Sequence, residues 1–126
     1  MQSLFNLDVY NRGYAVSLEI HKLSLGFPNH EQYKGLASQL RDSSKSVVAN
    51  IVEGYAFRKH RPKRYVNHLE ISIGSCDETR LWLRYSLDLG YIEKDVYNRL
   101  IAEYEEIGKM LWGLLQSVKK QSSQPE

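Results

Sequence analysis

The chain predicts an all-α fold, an antiparallel up-down-up-down four-helix bundle. Three observations predict it. Apolar residues recur at helical spacing in four separate segments. Glycine and proline punctuate the chain between those segments. No stretch alternates apolar and polar residues in the way a half-buried strand does. Short connections between four helices favour antiparallel neighbours.

The first segment covers residues 8–24. Val9, Gly13, Val16, Ile20 and Leu23 step by four and three along one helix face, with Asp8 as N-cap. Gly26, Phe27, Pro28 and Asn29 break the chain. The second segment covers 31–53, with Leu36, Leu40, Val47, Val48 and Ile51 on its inner face. Gly54 follows where a helix-terminating glycine of positive φ belongs. The third runs over 62–89. It opens on Pro62, suited to a first helical turn, and closes before Gly90. Val66, Leu69, Ile73, Cys76, Leu83 and Leu87 keep its spacing.

The fourth covers 93–120 and carries the cleanest seam. Tyr97, Leu100, Tyr104, Ile107, Leu111, Leu114 and Val118 alternate steps of three and four, as bundle helices do. Gly13, Gly74 and Gly108 lie inside helices, where each costs up to about 1 kcal/mol against alanine. Such glycines serve where another helix comes close. A crossing within the bundle is favoured over one between subunits.

Residues 1–126 form one domain on this reading, with an ordered core over about 7–120 and a disordered tail over 121–126. A charged fraction of 25% and a hydrophobic fraction of 42% describe an ordinary globular protein. The single cysteine, Cys76, excludes an internal disulfide and fits a reducing compartment. The first residues lack the basic and apolar regions of a secretory signal. No apolar run approaches the roughly 18 residues of a membrane span. A cytoplasmic protein without membrane contact follows.

Charge is unevenly placed. The net charge is only +2, yet the run RKHRPKR at 58–64 contributes +5, which leaves −3 for the rest. Glu93, Asp95, Glu103, Glu105 and Glu106 concentrate acid in the fourth segment. Arg58, Lys59, Arg61, Lys63 and Arg64 sit where the second helix hands over to the third. Cations at a helix N-terminus oppose its dipole, so their placement there points to a use for the charge. Lys34, Arg41 and Lys45 follow at spacings of seven and four, as a basic stripe on the second helix that leads to this run. The pattern points to phosphate-backbone binding, with a solvated loop as the plainer alternative.

Asn50 and Glu53 stand at i and i+3 among apolar neighbours. An unpaired buried carboxylate is costly, so the pair reads as a polar clamp that fixes helix register, with Arg58 or Arg64 as partner to Glu53. No nucleophile or metal ligand accompanies them, and no catalytic residue is assigned. Arg61 and His68 loosely match the arginine-to-histidine spacing of bundle-type ribonucleases, although Pro62 stands where a polar residue is usual. His21, His30, His60 and His68 do not form a metal-ligand pattern, and no cofactor is implied. Tyr55, Phe57 and Tyr65 flank the basic run, either to stack on bases or to pack the loop.

The stretches LDVYNRGYAVSLEIHKL, GFP, GLASQLRDSSKSVVANIVEGYAFR, IGSCDETRLWL, DLGYI and EIGKMLWGLL cover nearly the whole chain in order. On these the chain resembles the four-helix-bundle family encoded by intervening sequences in bacterial 23S rRNA genes. It is more distantly similar to the accessory protein of diversity-generating retroelements. VVANIVEG is the most specific stretch, and Val48 stands where the family usually has proline. The resemblance implies a bundle that assembles into a ring, typically a homopentamer, with no firmly established biochemical activity. The retroelement relative binds nucleic acid and its cognate reverse transcriptase. Two functions therefore stand. The first is a non-enzymatic oligomer that binds RNA or DNA without sequence specificity. The second is a scaffold that docks a partner protein such as a reverse transcriptase. A ribonuclease is a distant third.

Overall fold

The computed structural model describes residues 3–122. They form four α-helices and two single 3-10 turns, with no strand among the described residues, which fits a four-helix bundle. The helices are α1 (Asp8–Ser24), α2 (Leu36–Tyr55), α3 (Pro62–Asp88) and α4 (Lys94–Ser122). The 3-10 turns, Leu4–Asn6 and Asn29–Glu31, precede α1 and α2.

Three of the four helices start within one residue of the sequence expectation. α1 has the expected bounds, but Leu7 is its cap residue and Asp8 its first helical residue. The Asp8 carboxylate then sits in the first turn, where the helix dipole favours negative charge. α3 opens on Pro62 at its first position. It closes on paired hydrogen bonds, Gly90 N–H to Leu87 O (3.0 Å) and Tyr91 N–H to Ser86 O (2.9 Å). Gly90 takes φ +78° there, which only glycine adopts freely. α4 runs two residues past the expected end, through Gln121 and Ser122. The remainder of the expected disordered tail, 123–126, lies outside the described residues.

The start of α2 differs. The helix begins at Leu36, five residues after the expected start. Lys34 sits at φ +55°, which no helix accommodates, so the chain turns before α2 can begin. Glu31 then caps α2 from outside the helix. Its carboxylate accepts the Leu36 N–H at 2.9 Å and the Tyr91 hydroxyl at 2.8 Å. The Leu36 N–H, first among these causes, holds the Glu31 carboxyl below its ordinary value.

Gly54 does not stand just past the end of α2 with positive φ, as its place in the sequence suggests. It lies inside the last turn, and it is buried. A β-carbon there would stand 2.7 Å from His68 Cβ and 2.8 Å from Tyr65 Cδ1. Gly54 therefore serves the close approach of α3. Among the other in-helix glycines, Gly13 faces α2, where a β-carbon would stand 3.3 Å from Val48 Cγ2. Nothing stands within 4 Å of such a carbon at Gly74 or Gly108.

The core lies between all four helices. Ile20, Leu40, Ile51, Leu69, Leu83 and Ile107 are withdrawn from solvent completely. Burying each side chain of this size contributes roughly 1.5–3 kcal/mol. The α4 seam shifts by one position near its end. Leu115 is fully buried, while Leu114, the expected seam residue, is half-buried. A helix of 3.6 residues per turn drifts against a strict seven-residue repeat, and by the third heptad the drift has moved the seam.

Cross-helix partners run in opposing numerical order. Ser72 and Thr79 of α3 bond Val47 and Ser43 of α2. Arg12 and Glu19 of α1 pair with Glu103 and Arg99 of α4. Arg41 and Lys45 of α2 meet Ser24 and His21 of α1.

The glycine environments make opposite predictions. Gly54→Ala forces α2 from α3 and should cost roughly 1–3 kcal/mol, the usual cost of overpacking. Gly108→Ala meets no neighbour and should be neutral or stabilising by up to about 1 kcal/mol through helix propensity. Thermal melts followed by circular dichroism, at one protein concentration, check both. Equal destabilisation by the two substitutions would contradict the assignment.

Candidate nucleic-acid interface

The run at 58–64 occupies one end of the fold, between the last turn of α2 and the first of α3. Backbone bonds wind the segment tightly. Phe57 N–H reaches Gly54 O at 2.9 Å, and Arg61 N–H reaches Phe57 O at 2.8 Å. The cations divide into two sets. The Arg58 guanidinium lies over the Tyr55 ring at 3.9 Å and donates to Tyr55 O at 3.0 Å. The Arg64 guanidinium lies over Phe57 at 4.3 Å. Such stacking contributes about 0.5–1 kcal/mol at exposed sites. Lys59, Arg61 and Lys63 are exposed, and no ion pair engages them among the described residues.

Two depressions adjoin these cations. One, of about 590 Å³, is bordered by Arg58, Lys59, Tyr55 and Tyr65, with Leu114 and Val118 of α4 opposite. The other, of about 570 Å³, is bordered by His60, Arg61, Lys63, Arg64 and Asn67. Tyr65 meets Tyr55 edge to face at 6.1 Å. Burial pushes the Tyr65 phenol up to about 12, and its hydroxyl has no hydrogen-bond partner among the described residues. Tyr55 and Tyr65 are buried and Phe57 lies half-buried beneath Arg64, so these aromatics pack the loop against the bundle.

Lys34, Arg41 and Lys45 do not continue this patch. Lys34 precedes α2 and so does not share a helix face with the other two. It stands at the opposite end of that helix, ~30 Å from the run for twenty residues at 1.5 Å each. Arg41 spends its guanidinium on the α1–α2 connection. It donates to Ser24 Oγ (2.8 Å), Gln32 Oε1 (3.1 Å) and Gln32 O (3.0 Å). Lys45 Nζ donates to His21 Nδ1 at 2.9 Å, and the ammonium holds the imidazole below its ordinary value.

Asn50 and Glu53 separate as well. Asn50 joins α2 to α3: His68 Nδ1–H donates to its Oδ1 at 3.0 Å, while its Nδ2 donates to Ser46 O at 2.9 Å. Ser46 Oγ lies 2.8 Å from Ser75 Oγ and extends the link. Glu53, expected to be buried, is 63% exposed, and its carboxylate stands 3.6 Å from His68 Nδ1. Neither Arg58 nor Arg64 pairs with it. It lies beside the exposed Val52 on the outer face of α2, where an ionised carboxylate incurs little desolvation cost. The sequence reading missed the hydroxyl residues of this interface, Ser43, Ser72, Ser75 and Thr79, all buried. Their spacing of 72, 75 and 79 on α3 was the available signal, hidden because serine and threonine read as surface residues.

His68 is thus engaged by Asn50, and Arg61 is the exposed cap residue of α3. Burial pushes the Cys76 thiol up to about 12, away from nucleophilic use. No group of three or more metal-ligating side chains gathers among the described residues. Nor is any described helix long and apolar enough to cross a membrane.

The class defined by this geometry is a helical bundle with a cationic end. The sequence model of the 23S rRNA-intervening sequence protein family matches residues 5–113. The chain belongs to that family. Among solved structures it is similar to a protein of unknown function from the S23 ribosomal protein family of Bacteroides thetaiotaomicron VPI-5482, at 1.70 Å resolution. That likeness has a TM-score of 0.76 and 23% identity, over 86% of this chain and 95% of the other, and it establishes the fold. No curated protein matches the sequence.

The polar contacts separate two substitutions that the sequence treats as a pair. Asn50→Ala leaves the His68 Nδ1–H and the Ser46 link without their partner and should cost roughly 1–3 kcal/mol. Glu53→Gln changes an exposed group and should stay within about 0.5 kcal/mol of the parent. Urea unfolding measures both. A larger effect for Glu53→Gln would reassign the clamp.

Proposed function

We propose that this protein is a non-enzymatic, homo-oligomeric bundle of the bacterial cytoplasm that binds RNA or DNA weakly and without sequence specificity. Its architecture on this reading is an antiparallel up-down-up-down bundle, supported by the opposing order of cross-helix partners. Its assembly is a ring, most simply of five copies, the number that the family resemblance implies. The observation that carries the binding reading is the set of three exposed, unstacked cations, Lys59, Arg61 and Lys63, without acidic partners among the described residues, beside two stacked arginines at one end. Unpaired cations in this density suit phosphates, which release counterions on binding. Contacts of this kind to phosphates would position a backbone without reading sequence.

Electrophoretic mobility of single- and double-stranded RNA and DNA at two salt concentrations tests the reading. Affinity should fall with salt, with a slope on duplex DNA of about −0.9 for each phosphate neutralised. Lys59→Ala with Lys63→Ala should weaken binding to all sequences alike. The slope should flatten by about 0.9 for each phosphate that the variant no longer neutralises. The fold should be unchanged, because exposed charges contribute little to stability. An unchanged slope in the folded double variant would make the run a solvated loop and favour a protein-docking scaffold.

A further inference from the structure

The outer face of α3 carries a packing seam that no other described element covers. Its inner positions, among them Leu69, Ser72, Cys76, Thr79 and Leu83, are buried. On the opposite side Ile71, Gly74, Glu78, Leu81 and Tyr85 recur at steps of three and four, and all are exposed. Ile71 is 52% exposed, Leu81 48% and Tyr85 51%. Solvated helix faces are ordinarily polar, whereas this spacing is that of a helix lying against another. The seam runs for about 21 Å, roughly fourteen steps of 1.5 Å.

A different face carries a depression of complementary form. α1 and α2 meet closely at Gly13 and Val48, which leaves an open groove of about 460 Å³ beside that crossing. Tyr14, Leu18, Val48 and Ala49 line it, and the exposed Val52 lies one turn further along α2. Its polar border is cationic, made of Lys45 with its ammonium on His21 Nδ1. The border of the α3 seam is acidic. Asp77 and Asp88 are held by Arg80 and Arg84, but no ion-pair partner engages Glu70 or Glu78 among the described residues.

We propose that copies of this chain assemble head to tail, the α3 ridge of one copy lying in the α1–α2 groove of the next with Glu78 against Lys45. The proposal rests on the homo-oligomer reading above and assigns its surfaces. Both halves of the contact occur on one chain, which makes a second copy the occupant that fits. A two-fold contact of either face with itself would bring two acidic borders or two cationic borders together. A contact between unlike faces propagates, and it closes into a ring when the rotation permits.

Complementing variants test the assignment. Leu18→Arg blocks the groove and Leu81→Arg blocks the ridge; both positions are exposed, so circular dichroism should show each folded. Light scattering at micromolar concentration should give an oligomer for the parent and monomers for each variant alone. An equimolar mixture should give a heterodimer and nothing larger, since each copy retains one working face. Independently, Lys45→Glu and Glu78→Lys should each weaken assembly at least tenfold, and a chain carrying both should assemble again. An oligomeric parent that neither arginine variant disturbs, or variants that remain monomeric when mixed, would overturn the face assignment alone. A monomeric parent would overturn the oligomer reading with it and leave both faces to other partners.

Discussion

The close packing of α2 on α3 is the constraint on which the rest of the molecule depends. It is built from small residues. Ser43, Ser46, Val47 and Asn50 of α2 face Ser72, Ser75, Thr79 and His68 of α3 through a continuous series of hydrogen bonds. Thr79 also bonds its own helix, donating to Ser75 O at 2.8 Å, so its buried hydroxyl is satisfied within the pair. A conventional leucine interface would hold the axes further apart. Here Gly54 ends the series, and even a methyl group at that point would collide with α3.

This closeness determines where the positive charge goes. Two helices in contact at Gly54 leave only residues 56–61 to reverse the chain. The reversal must therefore be tight, and the last turns of α4 border it at Leu114 and Val118. Cations in the first turn of α3 oppose the helix dipole by about 0.3–1 kcal/mol each at exposed positions. Stacking on Phe57 offsets this for Arg64. Arg61 at the cap and Lys63 in the first turn have no such compensation within the described residues. A locally unfavourable feature that the fold does not relieve is where a function is expected.

What the sequence disclosed and what it hid divide along the same line. Helices that pack through large apolar residues were legible: the bounds of α1, the Pro62 start, the Gly90 stop and most of the α4 seam. The apolar face of α2 was legible too, with Leu36, Leu40, Val47 and Ile51 buried as expected, but its start was not, because that is set by Glu31, five residues away in sequence and bonded to Tyr91. Gly54 looked like a helix terminator, since sequence cannot tell a glycine that bends the backbone from one that admits a neighbour. Glu53 looked buried because it follows an apolar stretch. The basic run was visible as composition, but its division into stacked and exposed cations required the positions of two rings. Lys34, Arg41 and Lys45 resembled an extension of it because their spacing does not reveal that Lys34 falls outside α2 or that Arg41 and Lys45 are engaged by Ser24, Gln32 and His21.

Membership of the 23S rRNA-intervening sequence protein family fixes ancestry and fold, while function has to be argued from the sites on that fold. The two sites differ in placement. Ridge and groove lie along the sides of the helices, whereas the cations lie at an end. Contacts between sides leave the ends free, and rotational symmetry would bring the same end of every copy to one face of the assembly. On the proposed reading, the exposed, unstacked Lys59, Arg61 and Lys63 of one copy would be a weak phosphate site. The same three repeated around an axis would be a multivalent one, in which each further contact is intramolecular once the first has formed. Affinity for a polyanion would then depend on assembly as well as on the run itself. A modest net charge of +2 is consistent with this arrangement, because symmetry concentrates charge that composition alone understates.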